Sequence, residues 1–226
     1  MPQILLINPN TNAQTTAMMV QLVQQQLPAH WKVHGVSASQ GAVMITNVAE
    51  LAMATPQVHA CWAQAQALLP PGQCWDGVIL ACFADPAIAW LRSATGVPTI
   101  GIGEAAMRAA SAGQRRFGIA TTTPELDSPM QSLAQSLHLQ HLYTGAHYTQ
   151  GEPLQLVAQP DALTQQLLRA VQACVSQDGA QTVVIGGGPL GQAAQALAQH
   201  TDTPLIAPLT AAAQWMQQAL SSSQPA

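Results

Sequence analysis

A chain of 226 residues with 48% hydrophobic and only 7% charged residues is long enough for one large domain or two small lobes with ample cores. Six basic residues against ten acidic ones leave a net charge of −4, and Lys32 with five arginines builds no basic patch for a nucleic-acid backbone. No apolar run reaches the roughly 18 residues of a membrane span, and Met1-Pro2-Gln3-Ile4 lacks the charged start of a signal peptide, so the expectation is a soluble cytoplasmic protein without nucleic-acid or membrane partners.

Gln3 to Asn8 reads as a short buried strand that runs into the polar turn Pro9-Asn10-Thr11. Asn10 or Thr11 is placed to cap a helix over 15–26, whose apolar positions Met18, Met19, Leu22 and Val23 keep helical spacing. Trp31 to Val36 alternates as a second strand, Gly41 to Thr46 is a loop with apolar content, and 50–69 is a helix containing Pro56. Gly77-Val78-Ile79-Leu80-Ala81-Cys82 is a continuous apolar strand bounded by Gly77 and by Asp85-Pro86, as in a strand buried on both faces. A helical pattern resumes at Ala87. Gly96 to Ile102 reads as another buried strand and Glu104 to Ala112 as a helix ended by Gly113.

Arg116 to Thr121 begins the second half as another strand entering a polar turn. A helix over 128–137, a weak strand at 142–144, a loop over 145–160 containing His147 and Tyr148, and a helix over 161–176 follow. Gln181-Thr182-Val183-Val184-Ile185 is a strand running into Gly186-Gly187-Gly188-Pro189. The chain closes with a helix over 192–200, a strand at 203–206, a helix over 210–220 and a tail from Ser221 expected to fray. Alternating strands and helices predict an α/β fold with parallel sheets flanked by helices on both faces. The halves echo each other: Cys82 answers Gly187 and Pro98 answers Pro204, at offsets of 105 and 106 residues. An internal duplication would set two similar lobes across a cleft, lobe 1 over 1–98 completed by 205–226, lobe 2 over 99–204.

Open α/β sheets bind ligands outside the carboxyl ends of their strands. The polar groups aimed there are Asn8, Asn10, Thr11, Thr121 and Thr122, which can either cap helices or contact a ligand, together with the amides after Cys82 and around Gly187 and Gly188. The glycine run lacks the Lys-Ser/Thr of a P-loop and the downstream acid of a dinucleotide fold. Of the four cysteines, Cys61 and Cys174 sit in helical patterns as small hydrophobes and Cys74 lies in a loop. None forms a CxxC pair, and the histidines show no metal spacing, so no metal is expected. Cys82 stands apart because of where its strand ends. At a helix N-terminus its thiol pKa would fall from about 8.5 towards neutrality. Asp85 reads as a turn and cap residue. Met44, Ile45 and Phe83 read as an apolar wall or as ordinary core, and Glu104 as an acid at a helix start.

Taken together, Ile7-Asn8-Pro9-Asn10-Thr11, Gly41 to Ile45, Ala81-Cys82-Phe83-Ala84-Asp85-Pro86, Val97 to Ala106 and Arg116 to Thr122 resemble the aspartate/glutamate/hydantoin racemase superfamily, and within it the hydantoin and allantoin racemases, over nearly the whole chain. The resemblance implies two pseudosymmetric lobes and proton transfer, without a cofactor, at a carbon beside a carbonyl. In such racemases two opposed cysteines serve the two faces of the substrate. It makes Cys82 the catalytic residue, and the strand-end reading adds Asn8, Asn10, Ile45, Phe83, Thr121, Thr122, Gly187, Gly188 and Pro189 as the substrate-binding set. It also suggests a homo-oligomer, with which five tryptophans and low charge are compatible. The second cysteine is expected where this chain has Gly186-Gly187-Gly188-Pro189, a departure that argues against a two-thiol exchange. Three readings follow: a racemase or epimerase of a cyclic ureide such as a hydantoin or allantoin; a single-thiol decarboxylase or isomerase of a small carboxylic acid, resembling arylmalonate decarboxylase and maleate isomerase; and a non-catalytic binder of such small molecules.

Overall fold

The computed structural model describes residues 1–222, and positions 223–226 of the tail lie outside the described residues. The first half runs β1 (Gln3–Asn8), α1 (Ala13–Gln24), β2 (Lys32–Ser37), α2 (Val48–Ala65), β3 (Gly77–Leu80), α3 (Ile88–Thr95), β4 (Thr99–Gly101) and α4 (Ile102–Ala110). The second runs β5 (Phe117–Thr121), α5 (Asp127–Ser136), β6 (Tyr143–Tyr148), α6 (Pro153–Val157), α7 (Pro160–Ser176), β7 (Thr182–Gly186), α8 (Gly191–Leu197), β8 (Leu205–Ile206) and α9 (Pro208–Ser221). Each half forms a four-stranded parallel sheet, in the orders β2-β1-β3-β4 and β6-β5-β7-β8. The two orders are the same, as a duplicated unit requires.

Side chains alternate across a strand, so each sheet buries both faces. Ile4 and Leu6 of β1 pack with Met19, Leu22 and Val23 of α1 and with Leu209 and Met216 of α9, whereas Leu5 and Ile7 pack with Val58 and Cys61 of α2 and Leu91 of α3. In the second lobe Ile185 packs under α7 and α8, while Ile119 and Val184 face α4 and α5. Helix α4 belongs to both lobes. Its Ile102 and Ala105 enter the first core; Ala106, Met107 and Ala110 enter the second.

The structure moves several sequence-based boundaries. The switch between sheets comes after residue 101, not at 98, because β4 bonds to β3. Strand β8 pairs with β7, so residues 205–206 stay with the second sheet and only α9 returns to the first. The stretch 145–160, read as a loop, carries the end of β6 and all of α6, so His147 and Tyr148 are strand residues. An edge strand of half-buried, small and polar residues has no apolar run to reveal it. The N-cap of α1 is Asn12, whose side chain accepts from the Thr15 amide at 3.0 Å, rather than Asn10 or Thr11.

The start of α4 is held electrostatically from two sides. Glu104 accepts from Arg92 of α3 at 2.5 Å and from Arg108, one turn on, at 2.8 Å. Burial pushes its carboxyl up, but the two guanidinium bonds outweigh burial and hold it below the ordinary carboxylate value. A depressed carboxylate stabilises the fold above its unfolded pKa, and that contribution is lost as pH falls through its folded pKa. Glu104→Gln should therefore lower stability at pH 7 by about 1–2 kcal/mol, a value discounted because both guanidiniums are about half exposed. The gap to the parent should close in thermal melts taken below the ordinary carboxylate range; an equal gap at pH 7 and pH 3 would contradict the assignment.

Candidate active site

In each sheet the strand order reverses between the first strand and the third of its half, the position where open sheets leave a crevice. These two switch points open onto one cavity of about 60 Å³. Its walls come from the ends of β1 (Asn8, Asn10), β3 (Ala81 to Ala84), β5 (Thr122, Thr123) and β7 (Gly186 to Leu190), with Met44 and Ile45 from the loop before α2 and Leu126 and Met130 from the start of α5.

Of the ten site residues drawn from the sequence, the cavity gathers Asn8, Asn10, Ile45, Cys82, Phe83, Thr122, Gly187, Gly188 and Pro189. Thr121 is not among the lining residues: it is 1% exposed, and its hydroxyl donates at 2.6 Å to the Gly186 carbonyl, tying β5 to the glycine turn. Thr11 is also spent, its amide and hydroxyl donating to the Ala42 carbonyl at 3.0 and 3.3 Å. That contact holds the front of the Met44–Ile45 loop. The rear is held by the cap of α2, where Asn47 accepts from the Glu50 amide at 2.9 Å and Glu50 accepts from the Thr46 amide at 2.6 Å. Sequence reasoning missed Thr123, Leu126 and Met130 as lining residues. Leu126 and Met130 stand one helical turn apart just after the β5 turn, an i, i+4 apolar pair that could have drawn notice.

The polar groups differ in what they have left to offer. Asn8 is fully buried; its amide nitrogen donates to Asn10 Oδ1 and Thr16 Oγ1, both at 2.8 Å, and its Oδ1 accepts from the Asn10 amide at 3.2 Å. Asn8 therefore orients Asn10. The Asn10 Oδ1 is occupied by Asn8 and by the Asn12 amide, whereas its Nδ2 has no partner among the described residues. The Thr122 hydroxyl is likewise unpartnered among them. These two are spare donors beside the cavity. No Asp, Glu, Lys, Arg or His is among its lining residues, and among the described residues no three His, Cys, Asp or Glu side chains gather as a metal site.

Cys82 borders the cavity and is only partly exposed. The expectation of a thiol eased towards neutrality by a helix is not met. Strand β3 ends at Leu80, the next residues turn with Asp85 and Ala87 in the left-handed region, and α3 starts only at Ile88. Burial pushes the Cys82 thiol up to about 12; a bond from the Ala84 amide eases it, and the Asp85 carboxylate adds to the rise. The thiol rests protonated.

Opposite it, the glycine run lies close against the Cys82 turn. A Cβ on Gly186 would stand 3.3 Å from the Phe83 ring, and one on Gly188 would stand 3.6 Å from the Ala81 carbonyl. Gly187, between them, has φ +142° and ψ +136°, backbone that side-chain-bearing residues rarely adopt.

The chain matches the family described as Asp/Glu/Hydantoin racemase over residues 4–216. It belongs to that family. A hydantoin racemase of Rhizobium meliloti is 28% identical over 207 residues, 92% of this chain and 84% of that protein. The fold matches the allantoin racemase from Klebsiella pneumoniae with a TM-score of 0.88 at 24% identity, covering 98% of this chain and 89% of that one. It matches arylmalonate decarboxylase with a TM-score of 0.68 at 15% identity, covering 99% and 94%. The two four-stranded parallel sheets flanked by helices thus follow the fold of these solved structures.

The backbone at Gly187 sets a measurable cost. Gly187→Ala should destabilise the protein by about 1–3 kcal/mol, since its Cβ finds only ordinary contacts, with Leu190 at 3.4 Å, while its φ is unfavourable. Denaturant unfolding checks this; an unchanged midpoint would show that the turn relaxes freely.

Proposed function

We propose that this protein is a cofactor-independent racemase of neutral cyclic ureides, of the 5-substituted hydantoin type with an apolar substituent, in which Cys82 is the single reacting thiol. The observation that carries this reading is the uncharged cavity: Cys82 borders it, no ionisable carboxylate or basic side chain lines it, and Met44, Ile45, Phe83, Leu126, Met130 and Leu190 give it an apolar wall. A dianionic or zwitterionic substrate would enter without a counter-charge, at a desolvation cost of several kcal/mol. A neutral ring with an oily side chain incurs no such penalty. Membership of a family that includes hydantoin racemases supports the same choice.

In the proposed step the Cys82 thiolate removes the proton from the ring carbon beside the carbonyl. The C–H bond breaks, an S–H bond forms, and the electron pair moves into the carbonyl to give an enolate. The Asn10 amide, the Thr122 hydroxyl and the amides of Gly187 and Gly188 are the donors for the developing oxyanion. A thiolate of high proton affinity is scarce at neutral pH but strongly basic, which suits a weak carbon acid. No thiol stands at Gly187, so the far face must take its proton from water, and the hydroxide left behind takes the proton that Cys82 holds and restores the thiolate; a proton returned by Cys82 itself goes back to the face it left.

A single specific observation favours a second reading. A thiol that rests protonated is a ready proton donor, which suits quenching an enediolate formed by decarboxylation of a small malonate, the activity named for arylmalonate decarboxylase. A homo-oligomer and a cytoplasmic location remain part of the proposal; exposed Val43, Val48 and Met53 leave apolar surface beside the loop that walls the cavity and support self-association.

The readings separate in D₂O. With L-5-benzylhydantoin the ring C–H signal should disappear well above the enzyme-free rate, with exchange running ahead of the loss of optical rotation because one thiol serves one face. Phenylmalonate should give no phenylacetate. Cys82→Ser should reduce exchange by at least about 100-fold; full activity in that variant would falsify the thiol assignment, and phenylacetate without hydantoin exchange would establish the second reading instead.

A further inference from the structure

Behind the turn that carries Cys82 lies a carboxylate that borders no part of the cavity. Asp85 is 4% exposed; its Oδ1 accepts from the Gly103 amide at 3.0 Å and its Oδ2 from the Glu104 amide at 2.6 Å. Its own amide donates to the Cys82 carbonyl at 2.9 Å. One residue thus bonds to the start of α4 through its side chain and to the reacting cysteine through its backbone. The packing admits nothing else: a Cβ on Gly101 would lie 2.1 Å from the Asp85 carboxyl carbon, and one on Gly103 would lie 1.9 Å from the Phe83 carbonyl oxygen.

The titratable and charged groups that face Asp85 are Glu104 of α4, Arg92 of α3 and the Cys82 thiol, with Arg108 bonding to Glu104. Arg92 and Arg108 are bonded to Glu104, and among the described residues no cation is bonded to Asp85. Two amides remain to balance its charge. A second negative charge on the nearby sulfur would therefore be opposed by the first.

We propose that Asp85 is the positioning residue of the Cys82 turn, and that whenever its carboxylate is ionised its charge opposes ionisation of the neighbouring thiol. Its two bonds to α4 set where the sulfur stands in the cavity, and its charge sets how readily that sulfur ionises. Burial already pushes both groups up, Asp85 to about 8 and Cys82 to about 12, and Asp85 adds to the rise at Cys82. The significance of this coupling for turnover rests on the proposed role of Cys82; the coupling itself is measurable without any substrate.

Asp85→Asn removes the charge and keeps one acceptor for the α4 amides. Alkylation by iodoacetamide at pH 9, where Asp85 of the parent is ionised, is followed at each cysteine by peptide mass spectrometry. Cys82 of the variant should react about three to thirty times faster than in the parent, the shift expected from removing one nearby charge. Cys74, which is exposed, should be unchanged, and buried Cys61 and Cys174 should stay protected. A Cys82 rate equal to or below the parent's, with Cys61 and Cys174 protected, overturns the proposal. Where Cys61 and Cys174 also react, the variant has opened, and Asp85→Ser, with a neutral hydroxyl acceptor, takes its place under the same two outcomes. In turnover the pH profile of kcat should move to lower pH with KM within about twofold, since Asp85 is not among the cavity-lining residues; a raised KM with an unmoved profile overturns it. A faster-reacting thiol in a protein without hydantoin exchange would sink only the functional reading, and an unmoved thiol in an active racemase would sink only this one.

Discussion

The carboxylate of Asp85 seated across the Gly103 and Glu104 amides is the contact on which the site depends. It closes the N-terminus of α4, where unpaired amides would otherwise be buried without acceptors. Helix α4 contributes to both hydrophobic cores, so whatever is fastened to its first turn keeps its place relative to both sheets. What is fastened there is the turn from Cys82 to Pro86. Gly101 and Gly103 are needed because that turn presses onto the backbone with no room for a Cβ. The left-handed conformations of Asp85 and Ala87 are held in place by the same packing.

The two lobes repeat one topology, and their reversal points open onto the same cavity, yet the equivalent turns are chemically unequal. The turn after β3 carries a sulfur. The turn after β7 carries glycines, one of them in a conformation that suits glycine alone. Around them the lining is uncharged, so the field inside the cavity comes from amides and hydroxyls and, when it is ionised, from Asp85 behind the turn. In so apolar a setting a thiol stays protonated and a neutral substrate binds more readily than a charged one. The same low polarity strengthens each hydrogen bond to a developing oxyanion.

Much of this was legible in the sequence. The apolar runs bounded by Gly and Pro marked the inner strands, helical spacing marked α1, α2 and α7, and the matched offsets announced the duplication. Nine of the ten named site residues meet at one cavity because strand ends in a parallel sheet converge by topology, whatever their side chains. Thr121 escaped because a residue at a strand end turns either to the crevice or to its neighbouring strand, and a 2.6 Å bond to the Gly186 carbonyl chose the neighbour. The far end of edge strand β6 and the short α6 escaped because half-buried elements show no strong periodicity.

Composition and pattern by themselves determined the fold class, the repeated βα units and which strand ends would line the cavity, since these follow from local burial and chain order. Tertiary structure alone decided the proton affinity of Cys82, the partners of Asp85 and the place of α4 in both cores. Each is the sum of contacts between segments distant in the chain: residue 85 meets 103 and 104, and 186 meets 83. A thiol at a strand end, just before a helical pattern resumes at Ala87, looks activated in the sequence. Desolvation, which depends on everything packed around it, gave it the opposite sign.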